Sequence, residues 1–225
     1  MISVIIPTYN EGKALPLTLK HLLRQPGEYE VIVVDGGSTD HTCEIVRAES
    51  RIRLRTAAKG RASQMNAGAH VARGEWLLFL HADTLLPEGA LRRMKALEAD
   101  MTCQAGGFRH RFSGDDWRLR LISWMDNLRT RMTRIIYGDQ AMFVRRALFE
   151  QLAGFPEQPI LEDIGFCEKL KRVTKPVLLD QYVITDSRKF AQMGIWRSVA
   201  RCALILFCHC LRLPIAGRAF FADIR

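Results

Sequence analysis

Three acidic segments stand at positions where carboxylates could serve a nucleotide, a metal and a proton: VVDGGSTD with Asp35 and Asp40, HAD with His81 and Asp83, and LED with Glu162 and Asp163. The first two follow apolar runs, residues 31–34 and 76–80, of the kind that form buried parallel strands. Carboxylates at the carboxyl ends of such strands point into the crevice where open α/β sheets bind ligands. Two acidic segments suffice for a nucleotide and its metal, which leaves the third for proton chemistry. Asp83 is the expected ligand of Mg²⁺ or Mn²⁺, because a hard cation bridging a diphosphate takes one or two carboxylates. Either Glu162 or Asp163 is expected as a general base, against the simpler reading that acids at a helix start suit its dipole. Asp35 could accept from a nucleobase or ribose, with Gly36 and Gly37 letting backbone approach the ligand. The segment VIIPTYNE leaves two readings open. It is a polar turn with Asn10 as a helix cap, or a site where Tyr9 covers a base and Glu11 accepts from a ribose or base donor.

These residues need a sheet to hold them. Strands are predicted at residues 2–6, 29–34, 52–56 and 75–80, and helices at 12–24, from about 39, at 61–72 and at 87–97. Ser38 or Thr39 can cap the second helix, and Pro87 suits the first turn of the fourth. This alternation implies a right-handed, wound, parallel α/β sheet. The second half adds strands at 105–112, 141–145 and 177–179, framed by long helices at 116–134 and 191–211. One domain is expected over 1–190, with a nucleotide-binding half to about residue 100 and an acceptor half over 101–190, then a C-terminal helix and tail over 191–225. The fingerprint GxGxxG is missing, which argues against a dinucleotide oxidoreductase.

With 225 residues, 48% hydrophobic and 25% charged, the chain suits one sizeable core and not disorder. A net charge of +9 invites a nucleic-acid reading, but the arginines are dispersed and no recognition motif accompanies them. Anionic lipid or a polyphosphate donor would be attracted as well. Six cysteines without a CxxC pair read as reduced thiols of a cytoplasmic protein, and no secretory leader is expected.

The ordered motifs VIIPTYNE, VVDGGSTD, HAD, the Gly106-Gly107 pair and LED resemble the family-two glycosyltransferases with the GT-A fold, over roughly residues 2–190. KGRASQMNAGA (59–69), YGDQ (137–140) and Ser187-Arg188 are further similar to a short bacterial branch tied to arsenosugar-type biosynthesis. The resemblance implies a UDP- or GDP-sugar donor held by Pro7, Tyr9, Glu11, Asp35, Arg61, Asn66, His81 and Ala82. Asp83 would carry the divalent cation, with His81 standing where such enzymes usually have the first acid of Asp-x-Asp. Asp163 would be the catalytic base and Glu162 its supporting neighbour. Gly106, Gly107, Asp139, Gln140, Ser187 and Arg188 would lie at the donor sugar or the acceptor, and Arg61 or Arg188 would offset charge on the leaving diphosphate. Transfer by one displacement would invert the anomeric centre.

The implied partners are a nucleotide-sugar donor and an unidentified acceptor, without nucleic acid. A catalytically silent sugar-nucleotide-binding or scaffold protein on the same fold is the main alternative, opposed by intact Asp83 and Asp163. A nucleotidyltransferase is opposed by PTYNEGK, where a Gly-rich basic turn would stand. Residues 202–208 form an apolar run flanked by Arg197, Arg201, Arg212 and Arg218, short of the roughly 20 apolar residues that a span needs. Two roles are open for residues 191–212: packing in the core or a homodimer, or peripheral contact with anionic lipid at the inner face of the membrane.

Overall fold

Apolar runs buried on both faces become the central strands. β1 (Ile2–Thr8), β2 (Tyr29–Asp35), β3 (Ile52–Thr56) and β4 (Trp76–Phe79) pair in parallel, and every residue of β1 and β4 is buried. The computed structural model describes residues 1–211 and 213, apart from the side chain of Lys189. Arg212, Arg218 and the rest of the expected tail therefore lie outside the described residues. The crossovers are α1 (Leu15–Leu22), α2 (Thr42–Arg47) and α3 (Arg61–His70). Then follow β5 (Thr84–Leu85), α4 (Ala90–Ala96), β6 (Ala105–Phe112), α5 (Trp117–Thr133), β7 (Phe143–Arg145), α6 (Arg146–Gln151) and α7 (Glu162–Leu170). The chain closes with β8 (Val177–Thr185), α8 (Arg188–Met193) and α9 (Ile195–Cys210).

One eight-stranded sheet runs in the order β3-β2-β1-β4-β7-β6-β8-β5. It is parallel through its first four strands, while β7 and β5 run antiparallel to their neighbours. Successive side chains alternate between two cores, as the pleat requires. Val4, Ile6, Trp76 and Leu78 join one cluster; Ile5, Leu77 and Phe79 join the other. Burying each such side chain stabilises by about 1.5–3 kcal/mol.

Several expected boundaries move. Ser38 and Thr39 do not cap α2: Ser38 bonds Asp35, the Thr39 amide donates to Asn10 Oδ1, and the helix starts after His41. Asn10 thus ties two loops together and is not a helix cap. Pro87 precedes α4, which begins after Gly89 in a left-handed conformation (φ +72°). The long C-terminal helix divides at Gly194, whose φ of +85° and ψ of 126° cannot continue a helix. β8 runs on to Thr185 because it pairs along β6, and there β5 joins it. That short ladder brings the end of β4 to the end of β8.

Candidate active site

The carboxyl ends of β1 and β4 and the first turn of α3 enclose a small cleft of about 50 Å³. Pro7, Tyr9 and Glu11 come from the end of β1; His81, Ala82 and Asp83 follow β4; Lys59, Gly60, Arg61 and Gln64 belong to the start of α3. Lys59 Nζ lies 3.7 Å from the centre of the Tyr9 ring, a cation held over the aromatic wall. Gln64, 3% exposed, donates to the carbonyls of Thr8 (2.7 Å) and Val34 (2.8 Å) and so fixes two strand ends against the helix. A helix start with Lys59 and Arg61 beside it favours negative charge.

Through Arg61, His81 and Asp83 the cleft opens into a second cavity of about 280 Å³. Asp163 and Asp139 line it, with Tyr137, Thr185 and Asp186. Asp163 Oδ2 accepts from the Gly138 amide at 2.8 Å, and Oδ1 from the Ile164 amide at 2.8 Å. Gly138 has no room for a side chain, since a Cβ there would stand 2.5 Å from His81 Nε2. His81, Gly138 and Asp163 are therefore one contiguous group. Leu161, just before the acids, holds φ at +61°, a strained conformation costing about 1–3 kcal/mol. Burial pushes the Asp163 carboxyl above its ordinary range, against the lowering effect of its two amide donors.

Asp139 is pushed up to about 6 by burial, which outweighs the opposing effect of His110. His110 is 1% exposed and stands between two carboxylates, with Nε2 3.6 Å from Asp139 and Nδ1 3.9 Å from Asp126. Donor atoms of these three residues lie within 4.8 Å of one another, a spacing that a cation could bridge. A positive charge is already present there: the Arg129 guanidinium is 2.8 Å from Asp126 Oδ1 and 3.4 Å from the Tyr137 ring centre. Asp83 offers the other oxygen ligand, at the junction of the two cavities, and the Asp186 amide donates to its carbonyl at 3.0 Å. One carboxylate at the place where a diphosphate would bend suits Mg²⁺ or Mn²⁺, which retain water and phosphate oxygens as further ligands.

Other expected site residues do structural work away from both cavities. Asp35 is 2% exposed, and its oxygens accept from the Gly37 and Ser38 amides, at 2.8 Å each, and from the Ser38 hydroxyl. Burial alone would raise its pKa, but these hydrogen bonds together hold it below the usual carboxylate range. Asn66 exchanges hydrogen bonds with the Phe155 backbone, at 2.9 and 3.0 Å, and so staples α3 to a loop. Gly106 and Gly107 are packing positions in β6, where a Cβ would meet Phe143 at 2.5 Å and Ile136 at 2.6 Å. Gln140, fully buried, bonds Thr130 and the Tyr137 amide. Ser187 pairs with Ser113, and Arg188 with Asp186, leaving Arg61 as the cation that both cavities share. Glu162 is buried at the start of α7 and lines neither cavity. Of the further residues at the site, Lys59, Gln64 and Tyr137 stood inside the motifs KGRASQMNAGA and YGDQ without a role of their own, and Asp186 carried no local signal.

Residues 3–152 match the family model described as glycosyl transferase family 2. The PGL/p-HBAD biosynthesis glycosyltransferase of Mycobacterium tuberculosis is 31% identical over 213 residues, covering 86% of this chain and 78% of that protein. Among solved structures, the mannosyltransferase PcManGT from Pyrobaculum calidifontis, in complex with GDP-Man and Mn²⁺, aligns with a TM-score of 0.71. Its identity is 23%, over 99% of this chain and 67% of that one. S. aureus TarS 1-349 in complex with UDP-GlcNAc aligns with a TM-score of 0.67 at 24% identity, over 83% of this chain and 58% of that one. The mixed sheet with its strand-end cleft is a GT-A fold, and the class of protein is a glycosyltransferase. The chain belongs to glycosyltransferase family 2.

Proposed function

We propose that this enzyme moves a sugar from a nucleoside diphosphate sugar, with UDP or GDP as the nucleotide, to an acceptor hydroxyl with inversion. The observation that carries this reading is the continuity of the two cavities. A cleft with an aromatic wall and cations at a helix start opens, through Arg61, His81 and Asp83, onto the half-buried carboxylate of Asp163. The nucleoside rests against Tyr9, and the diphosphate lies at the start of α3 beside Lys59 and Arg61. The sugar then projects into the cavity of Asp163. Asp163 takes the proton of the acceptor hydroxyl, a contribution of typically about 10²–10⁴-fold. Its oxygens are oriented by the Gly138 and Ile164 amides. Arg61 offsets charge that develops on the departing diphosphate. A divalent cation, Mn²⁺ or Mg²⁺, held by Asp83, would add Lewis-acid neutralisation of the same charge. PcManGT, whose structure contains GDP-Man and Mn²⁺, supports the cation and the donor class.

No helix among the described residues is long and apolar enough to cross a membrane. For residues 191–212, the exposed Trp196, Leu204, Phe207 and Leu211 support a contact surface, either for a membrane or for a second copy. With it goes a cytoplasmic enzyme working at the inner membrane face.

A thermal-shift series with UDP- and GDP-sugars, with and without Mn²⁺, tests the donor reading. Ligand binding to the folded state stabilises it by RT ln(1 + L/Kd), with L the free ligand concentration, and so raises the melting temperature as ligand is added. The expected result is a rise with one nucleotide class, larger with Mn²⁺, and consumption of that donor. Binding without any donor consumption, across acceptor mixtures, would favour the silent sugar-nucleotide-binding protein.

A further inference from the structure

Helix α5 carries apolar residues on its outward face as well as its inward one. Inward, Leu119 joins a small apolar cluster, and Ser123, Asn127 and Thr130 follow it, all buried. Asn127 Oδ1 accepts from the His110 amide at 2.8 Å, and its Nδ2 donates to the His110 carbonyl at 2.8 Å. Ser123 Oγ accepts from the Phe112 amide at 3.1 Å, and Thr130 Oγ1 donates to Gln140 at 2.9 Å. These bonds fasten the helix along the backbone of β6. The outward face carries Trp117, Leu121, Trp124, Leu128 and Met132, at spacings of four, three, four and four residues, which is one stripe of a helix. Trp117 and Trp124 are each 62% exposed and Met132 is 77% exposed, with Met125 beside them at 56%. Helices on globular proteins ordinarily turn such a stripe inward. From Trp117 to Met132 it extends about 22 Å. Contiguous exposed apolar surface of this kind marks an interaction site.

The charge around the stripe selects the partner. Arg109, Arg111, Arg120 and Arg131 line a groove of about 530 Å³ together with Trp124 and Leu128. At the other end Arg118 and Arg120 lie with Trp117 and Trp196 in one shallow depression, so α9 continues the same surface. Acids nearby are fewer: Asp115, Asp116 bound to Arg118, and Asp180, which is bound to Arg109 and lies 3.8 Å from Arg131. The acid of α5 itself, Asp126, is turned inward against Arg129. An isologous contact between two copies would set arginines against arginines, whereas lipid phosphates complement them. Tryptophan flanked by arginine is the composition of a helix lying in the plane of a bilayer interface.

We propose that α5 docks this protein on an anionic membrane surface, with Trp117 and Trp124 at headgroup depth and Arg118, Arg120 and Arg131 on lipid phosphates. The inference rests on α5 and does not depend on the donor reading. Flotation with vesicles of phosphatidylcholine alone, and with phosphatidylglycerol added, tests it. The wild-type protein should rise with the anionic vesicles at low salt and stay down with the neutral ones. Trp117→Ser/Trp124→Ser should reduce the floated fraction about tenfold or more, since both rings lose the apolar burial that holds the helix in the interface. Arg120→Gln/Arg131→Gln should weaken it and flatten its salt dependence. Both variants alter exposed residues, so their melting temperatures and their rates with soluble donor should match the wild type. A wild-type protein that stays at the bottom with anionic vesicles would overturn the proposal. So would a tryptophan variant that floats as well as the wild type. A concentration-dependent dimer abolished by Trp117→Ser/Trp124→Ser would assign the stripe to a second copy and overturn it equally.

Discussion

Asp163 and Asp139 face one cavity, and burial raises both carboxyls, Asp139 to about 6. A general base acts only when ionised, so a raised pKa carries the acid limb of the rate profile to higher pH. The acid limb of kcat should accordingly lie above the ordinary carboxylate range. Replacing Asp139 by Asn removes a negative neighbour, which lets Asp163 ionise more readily. The limb should then move to lower pH, and kcat profiles of the two proteins measure this directly. A limb that stays in place or moves upward would show that Asp139 has no electrical hold on the base. At Asp83 the expectation concerns binding. Asp83→Ala should weaken Mn²⁺-dependent affinity for the nucleotide diphosphate by roughly tenfold or more, given that even outer-shell partners of bound metals contribute roughly 10–100-fold. Calorimetric titrations with equal affinities for both proteins would remove Asp83 from the cation site.

The elements explain which residues reach the site. β1, β2 and β4 were legible because each is an apolar run ended by a turn, and their parallel order brings Tyr9, Glu11 and Asp83 to one cleft. In the second half β6 and β7 fall within expected strands, whereas the two-residue β5 and the extension of β8 to Thr185 give no periodic signal and depend on distant pairing. Asp186 reaches the cavity only because of that pairing. The backbone also claims polar residues of ligand-contact type: Asp35, Asn66 and Gln140 each hydrogen-bond main-chain groups. For Asn66 this is testable at the scale of α3 and the loop it holds. Asn66→Ala leaves the Phe155 amide and carbonyl without partners and should cost about 1–3 kcal/mol in urea unfolding, with nucleotide affinity unchanged. A tenfold loss of affinity at unchanged stability would return Asn66 to the nucleotide site. A helix was expected at 116–134, and Asp116 caps α5 in the structure, but the exposed apolar stripe on its outward face was not foreseen.

As a whole, the molecule places a strand-end cleft with cations beside it next to an acidic cavity, and carries a basic, aromatic helix, α5. The net charge of +9 suits both a diphosphate donor and an anionic surface. On the proposed mechanism, the group that separates an enzyme from a binding protein of the same fold is the carboxylate of Asp163, which lines the second cavity. Its substitution by Asn keeps size and hydrogen-bonding shape while removing the base. The most direct test pairs donor turnover with calorimetric nucleotide binding for the wild type and Asp163→Asn, using the donor found by thermal shift and Mn²⁺. Turnover should fall by about 10²–10⁴-fold while nucleotide affinity stays within about threefold, as expected for a group that acts only in proton transfer. If the variant keeps more than about a tenth of the wild-type turnover, a smaller loss than a general base supplies, Asp163 is not the base and the assignment of this cavity as the transfer site fails.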